Sequence, residues 1–305
     1  PPAAPFHRGI FRRFQDMRCA MAAYHRPDRM EDALGLLAKG GVTIAAGCTD
    51  LFPATEARSL PGSVLDITGI KALRGIGPTS FGFRIGGAAT WSDVIAADLP
   101  PAFDMLKEAA REVGSRQIQN AGTIAGNLCN ASPAADGVPC LLALDAAVEL
   151  TSIQGVRTVP LKAFITGARQ TALARDEMLS AIHVPQSAVQ GRSRFVKLGA
   201  RRYLVISITM VAARVEVEGG RVKQAALAVG ACGPVATRLS QLEDALMGQA
   251  FDLALPGIVT EALIAPALDP IGDIRADAPY RSHAAGELLR RALANLVAAE
   301  RELSA

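Results

Sequence analysis

Residues 120–139 read NAGTIAGNLCNASPAADGVP. The stretch has one charged side chain, Asp136, no aromatic, and a heavy load of Gly, Ala, Ser, Asn and Pro. Side chains kept this small over such a length suit either a flexible linker or a backbone surface laid against a ligand. The neighbours separate the two. Upstream, 102–113 (AFDMLKEAAREV) has the apolar spacing of an amphipathic helix; downstream, VPCLLALDA reads as a buried helix and AAVELTS as a strand. A flexible joint is not normally enclosed within the secondary structure of one domain, so the ligand-facing reading gains.

Working outward, Met30, Ala33, Leu34, Leu37 and Ala38 fall on one helix face, stopped by Gly40-Gly41. VTIAAG (42–47) and SVLDI (63–67) then read as strands joined by a connection long enough for a parallel crossover. FRIGG (83–87) is a further strand, and Thr90 and Asp93 have capping-box spacing at the start of a helix. In the second half, EMLSAIHVP (177–185) and 192–207 are expected as strands. A hairpin turning at Glu218-Gly219-Gly220 follows, and then helices near 238–247, 252–265 and 280–303. Strands followed by a run of helices predict a separate α+β domain. The expected division is an arm or leader over 1–20, excluded from the fold, a first domain over 21–192 and a second over 193–305.

With 305 residues, half of them apolar, two packed domains are the expectation. Lys plus Arg (32) nearly balance Asp plus Glu (29), and three Tyr with one Trp leave little for base stacking, so a nucleic-acid partner is not expected. No apolar run is long enough for a spanning helix. The five cysteines (Cys19, Cys48, Cys129, Cys140, Cys232) are scattered without a C-x-x-C pair. That argues against a disulfide framework, a zinc site or an iron-sulfur cluster held by this chain, and for a reducing cytoplasm. His7, His25, His183 and His283 are too dispersed for a metal cluster.

Two loops carry the chemistry: Ile44-Ala45-Ala46-Gly47-Cys48-Thr49-Asp50-Leu51 and Thr123-Ile124-Ala125-Gly126-Asn127, the second preceded by Gly122. Turns of such small residues can aim successive N–H groups at one point and let phosphates approach the backbone, a nest suited to a pyrophosphate. Asp136 is then placed to accept hydrogen bonds from ribose hydroxyls, as acids do in other dinucleotide sites. Taken singly, each loop reads more readily as a plain tight turn.

In order along the chain, YHRP (24–27), AAGCTDL (45–51), TIAGNLCNASPAAD (123–136), VKLGARR (196–202) and the late hairpin with its helical tail resemble a known family. It is the FAD-binding medium subunit of the molybdenum hydroxylases, the group of bacterial carbon monoxide dehydrogenase and xanthine dehydrogenase. The resemblance implies an α+β chain: a two-part FAD-binding domain of the vanillyl-alcohol-oxidase (PCMH) type, followed by a domain like the C-terminal domain of the carbon monoxide dehydrogenase flavoprotein. It implies that FAD is held by the two loops, by Asp136 at the ribose and by Lys197 at the flavin, with Val113, Met178 and Leu179 placed by spacing. It further implies electron transfer within a xanthine dehydrogenase-like complex. The partners would be a large subunit with the molybdenum cofactor and a small subunit with two-iron two-sulfur clusters, in a dimer of heterotrimers.

The chain departs from the family's double-glycine spelling at Cys48 and Ala125. A positive φ at either would cost about 1 kcal/mol. Cys48 reads as a small packed side chain or as a redox neighbour of the flavin, and Arg201-Arg202 as a solvated pair or as a contact to a partner or the cofactor phosphates. Two other functions stay open: a stand-alone flavin oxidase, for which no general base is visible, and a nucleotide-binding module without turnover.

Overall fold

The computed structural model describes residues 22–56, 60 and 62–304. The expected arm over 1–20 lies outside the described residues. The chain begins with a small lobe of β1 (Tyr24–His25), α1 (Met30–Lys39), β2 (Val42–Ala45) and β3 (Ser63–Asp66). Its strands form a parallel sheet in the order β1-β3-β2. Helix α1 ends where Gly40 takes φ 73, a conformation open to glycine, and buries Ala33, Leu34 and Leu37 against Leu65 and Ile67.

The larger lobe follows, with β4 (Ile76–Thr79), β5 (Gly82–Gly86), α2 (Trp91–Ala96), α3 (Asp104–Glu112), α4 (Arg116–Ala121), α5 (Ile124–Asn130) and α6 (Gly137–Ala143). It continues through β6 (Ala147–Ser152), β7 (Gly155–Pro160), α7 (Leu161–Phe164), β8 (Ile165–Gly167), β9 (Gln170–Thr171) and β10 (Met178–Pro185). Five of these strands make an antiparallel sheet, β4-β5-β10-β6-β7. Ile85, Ile182 and Val148 stand in register on three neighbouring strands and are buried under the helices. The Thr90–Asp93 capping box at α2 is present in full.

Next come β11 (Arg192–Leu198), β12 (Thr209–Glu218), β13 (Arg221–Gly230) and β14 (Thr237–Arg238), an antiparallel sheet in that order. The chain closes with α8 (Ser240–Leu246), α9 (Glu261–Ile264) and α10 (Ala278–Ser304). Successive strand residues point to opposite faces. Val211, Ala213, Val215, Leu227 and Val229 therefore pack with Leu289, Leu293 and Val297 of α10. Met210, Ala212, Ala226 and Ala228 join the core of the larger lobe, against α3 and α6. The second sheet is buried on both faces.

Two expectations are corrected. The helix expected over 252–265 is broken into a 3-10 turn (Leu255–Ile258), α9 and another 3-10 turn (Ala265–Ala267). Pro256 and Pro266 lack the N–H an unbroken helix needs. The strand expected over 192–207 stops at Leu198, and residues 199–208 form a loop. There the chain folds back on itself: a Cβ on Gly199 would lie 2.4 Å from Val205 Cγ1, and Leu204 has φ 53.

Candidate functional site

The first small-residue loop leaves the C-terminal end of β2 and the second caps α5. They meet. A Cβ built on Gly47 would fall 2.0 Å from the carbonyl oxygen of Ala121, and one on Gly122 would fall 3.2 Å from Thr49 Oγ1. The loops are in backbone contact, which only glycine at 47 permits. The second loop is stitched to the larger lobe by Trp91 N–H donating to Gly122 O (3.1 Å) and Ile124 N–H donating to Ala89 O (3.0 Å). Thr123 caps α5, its Oγ1 accepting from Gly126 N–H at 3.0 Å.

The joined loops wall a cleft of about 680 Å³, within the size range of small-molecule and cofactor sites. Ile44, Ala46, Gly47, Cys48, Thr49, Asp50, Leu51, Val113, Thr123, Ala125, Gly126, Asn127, Asp136, Met178, Leu179 and Lys197 all line it. Residues spread between Ile44 and Lys197 are thus brought to one cavity. Ala45 and Ile124, expected among them, do not line it. Ala45, at the end of β2, is buried with its neighbours in the chain facing the cleft, and Ile124, the first residue of α5, turns into the core of the larger lobe.

Asp136 and Lys197 were expected as two separate contacts; the structure joins them. Lys197 Nζ donates to Asp136 Oδ2 at 2.7 Å and Ser207 Oγ donates to Oδ1 at 2.5 Å. Both charged side chains are less than a tenth exposed. Burial pushes the Asp136 carboxyl up, against the pull of Lys197 and Ser207. A carboxylate has about four acceptor positions, and these two bonds use one on each oxygen, so capacity for ribose hydroxyls is left.

The remaining wall was not foreseen. Trp91, Arg169, Ile206 and Ser207 also line the cleft. Trp91 lies beneath Gly137, where a Cβ would come within 2.6 Å of its ring, and Arg169 is tied to Asn130 O at 3.2 Å. Asp136 and Lys197 were visible in the sequence because they are charged within small-residue or motif contexts; Ser207, in an apolar strand-like run, gave no such signal. Cys48 has φ 58 and Ala125 lies within α5, so the positive-φ cost falls on Cys48 alone. Burial pushes the Cys48 thiol up, whereas Cys129, also on the cleft wall, is exposed.

FAD can be tested against this cleft through the donor set. Asn127 Oδ1 is buried, lines the cleft and has no hydrogen-bond partner among the described residues. An orphaned buried acceptor is costly, and a polar ligand relieves it. Together with the glycine-lined backbone walls and the spare acceptor capacity of Asp136, the residues present fit a dinucleotide.

Residues 14–187 match the family model described as FAD binding domain in molybdopterin dehydrogenase, and residues 194–296 that of the CO dehydrogenase flavoprotein C-terminal domain. The chain belongs to the FAD-binding medium subunits of the molybdenum hydroxylases. It is 30% identical to a putative xanthine dehydrogenase FAD-binding subunit of Escherichia coli, over 91% of this chain and 97% of the relative. It is equally, 30%, identical to the carbon monoxide dehydrogenase medium chain of Hydrogenophaga pseudoflava, over 88% and 95%. The reconstituted CO dehydrogenase from Oligotropha carboxidovorans superposes with a TM-score of 0.84 at 29% identity, covering 91% of this chain and 98% of that one. This medium subunit therefore has an FAD-binding domain and is an oxidoreductase component. Among the described residues no helix is long and apolar enough to cross a membrane.

Proposed function

We propose that this chain is the electron-transfer flavoprotein of a heterotrimeric molybdenum hydroxylase, taking electrons from a two-iron two-sulfur subunit and passing them to an external acceptor. The observation that carries the reading is the backbone contact between the two small-residue loops, which turns two weak motifs into one dinucleotide cradle. The two loops would hold the pyrophosphate and Asp136 the ribose. Lys197, Val113, Met178 and Leu179 would flank the flavin. Bound FAD supplies the exchange between one- and two-electron steps.

The protein's own residues hold and position. Lys197 is tied to Asp136, and burial pushes the Cys48 thiol up, so neither is a ready nucleophile. Asp136 is engaged by two donors. Such a site favours a carrier over an oxidase with its own general base. Domains divided near 192/193, a molybdenum-cofactor large subunit, an iron-sulfur small subunit, a dimer of heterotrimers and a cytoplasmic location complete the proposal.

Acid precipitation of the purified chain should release one FAD per chain into the supernatant. Flavin retained in the pellet, or FMN in its place, would overturn the cradle. The isolated chain should show no substrate hydroxylation. Co-expressed with the two partner subunits, it should form a complex whose flavin absorbance bleaches on anaerobic addition of substrate. Turnover of a physiological substrate by the metal-free single chain would replace the relay with a stand-alone oxidase.

A further inference from the structure

Arg281, near the start of α10, is 2% exposed and does not line the FAD cleft. Its guanidinium grips three separate segments. Nη1 donates to Ile208 O and, at 3.0 Å, to Ala231 O, and Nη2 donates to Asp273 Oδ1 at 2.7 Å. Nε is buried without a partner among the described residues. A buried donor left unpaired is costly. Where a buried ion pair serves stability alone, well-packed apolar side chains do as well or better, so this guanidinium calls for another reason.

Two of the gripped segments run on into the cleft wall. Ile208 has its N–H on Leu198 O (2.8 Å) and its carbonyl on Arg281, and the residue before it is Ser207, whose Oγ donates to Asp136 Oδ1. Ala231, just after β13, has a left-handed backbone, φ 60. A residue with a β-carbon keeps that conformation only where its surroundings over-determine it. Here the Ala231 N–H donates to Pro133 O at 3.0 Å and the carbonyl accepts from Arg281. Pro133 stands between Ser132 and Ala134, both on the cleft wall. One side chain outside the cleft thus stands one residue behind Ser207 and one strained residue behind Pro133.

We propose that Arg281 is a positioning residue for the FAD cleft: it holds Ser207 on Asp136 and the 132–134 turn at the wall, and so sets the affinity for FAD from outside the site. A planar guanidinium, with donors in fixed directions, serves two carbonyls and a carboxylate at once, which the point charge of an ammonium does not. Asp273 balances its charge, so no uncompensated cation stands behind the cleft. The Ser207 branch rests on the reading of Asp136 as the ribose contact; the Pro133 branch does not.

The test is a double-mutant cycle on the full chain, with FAD affinity read by flavin fluorescence titration and the stability of the FAD-free chain by urea unfolding. Arg281→Met and Ser207→Ala should each weaken FAD binding by about tenfold. Because Arg281 acts in part through Ser207, Arg281→Met in the Ser207→Ala background should cost only about threefold more, the share carried by Pro133. Arg291→Gln, an exposed change on the same helix, should keep the parental affinity. A role confined to stability would lower the urea midpoint and leave FAD affinity alone, or weaken FAD by one factor in both backgrounds; either result overturns the proposal. Should Arg281→Met fail to fold, Asp273→Asn, at a partly exposed carboxylate, goes through the same cycle. A loss that shrinks in Ser207→Ala then upholds the positioning, and no loss, or an undiminished one, overturns it. Asp136→Ala, titrated alongside, separates the two readings. Parental affinity there sinks the ribose role of Asp136, whereas a loss there with none in Arg281→Met sinks the positioning alone.

Discussion

Cys48 occupies a left-handed backbone position, φ 58, in the middle of the first cleft loop. A β-carbon there crowds the following carbonyl, and glycine is free of that cost. Cys48→Gly should therefore stabilise the protein by about 1 kcal/mol, read as a higher urea midpoint with an unchanged slope. Cys48→Ala, which keeps the β-carbon, should show no such gain; equal gains in both would assign the effect to the thiol. Gly47 is the opposite case. Its need for glycine comes from the Ala121 carbonyl pressed against it and not from its own φ. The sequence shows the glycine but not the reason, because the reason lies more than seventy positions away.

Helix α6 is held at both ends by the C-terminal domain. At its start Asp136 meets Lys197 and Ser207; at its end the carbonyls of Ala143 and Leu142 accept from Arg214 Nε and from Arg238, both at 3.0 Å. The buried pair at the start can be tested. Asp136→Asn removes the counter-charge of an ammonium less than a tenth exposed, and should cost about 3 kcal/mol in equilibrium unfolding. The double variant with Lys197→Met should recover a large part of that, since no unpaired charge remains buried. No recovery would show that the cost lies in the Ser207 contact. At this scale the sequence was legible wherever one element carried its own pattern: the face of α10, the Gly219-Gly220 turn, the capping box of α2. It was illegible where a pattern was cut by something smaller than a window of periodicity. Pro256 divides a run of otherwise helical spacing, and the loop after Leu198 continues an apolar, β-branched run without being a strand. The cleft was legible as loops and acids, whereas Trp91, Arg169 and Ser207 reach it through folds of the chain that local spacing does not encode.

For the whole molecule, the division into two family-sized segments is not a division into two cores. Phe195, Met210, Ala212, Ala226 and Ala228 of the second segment are buried in the same cluster as Phe103, Met105, Leu106 and Leu141 of the first. A chain cut after residue 191 would expose that apolar face to water. Such a fragment should collapse or aggregate and bind no FAD, as followed by near-ultraviolet circular dichroism and light scattering; a monomeric, well-folded fragment would show that the shared core is dispensable. The pair Asp136–Lys197 has a temporal counterpart. During synthesis the N-terminal part of a chain leaves the ribosome first and begins to fold there. Asp136 must then wait for Lys197 and Ser207, sixty-one and seventy-one residues later, before its carboxylate finds the partners it has in the native state. Until the exit tunnel has released them, the nascent chain carries an unfinished cleft, and cofactor capture is put off to the last third of translation.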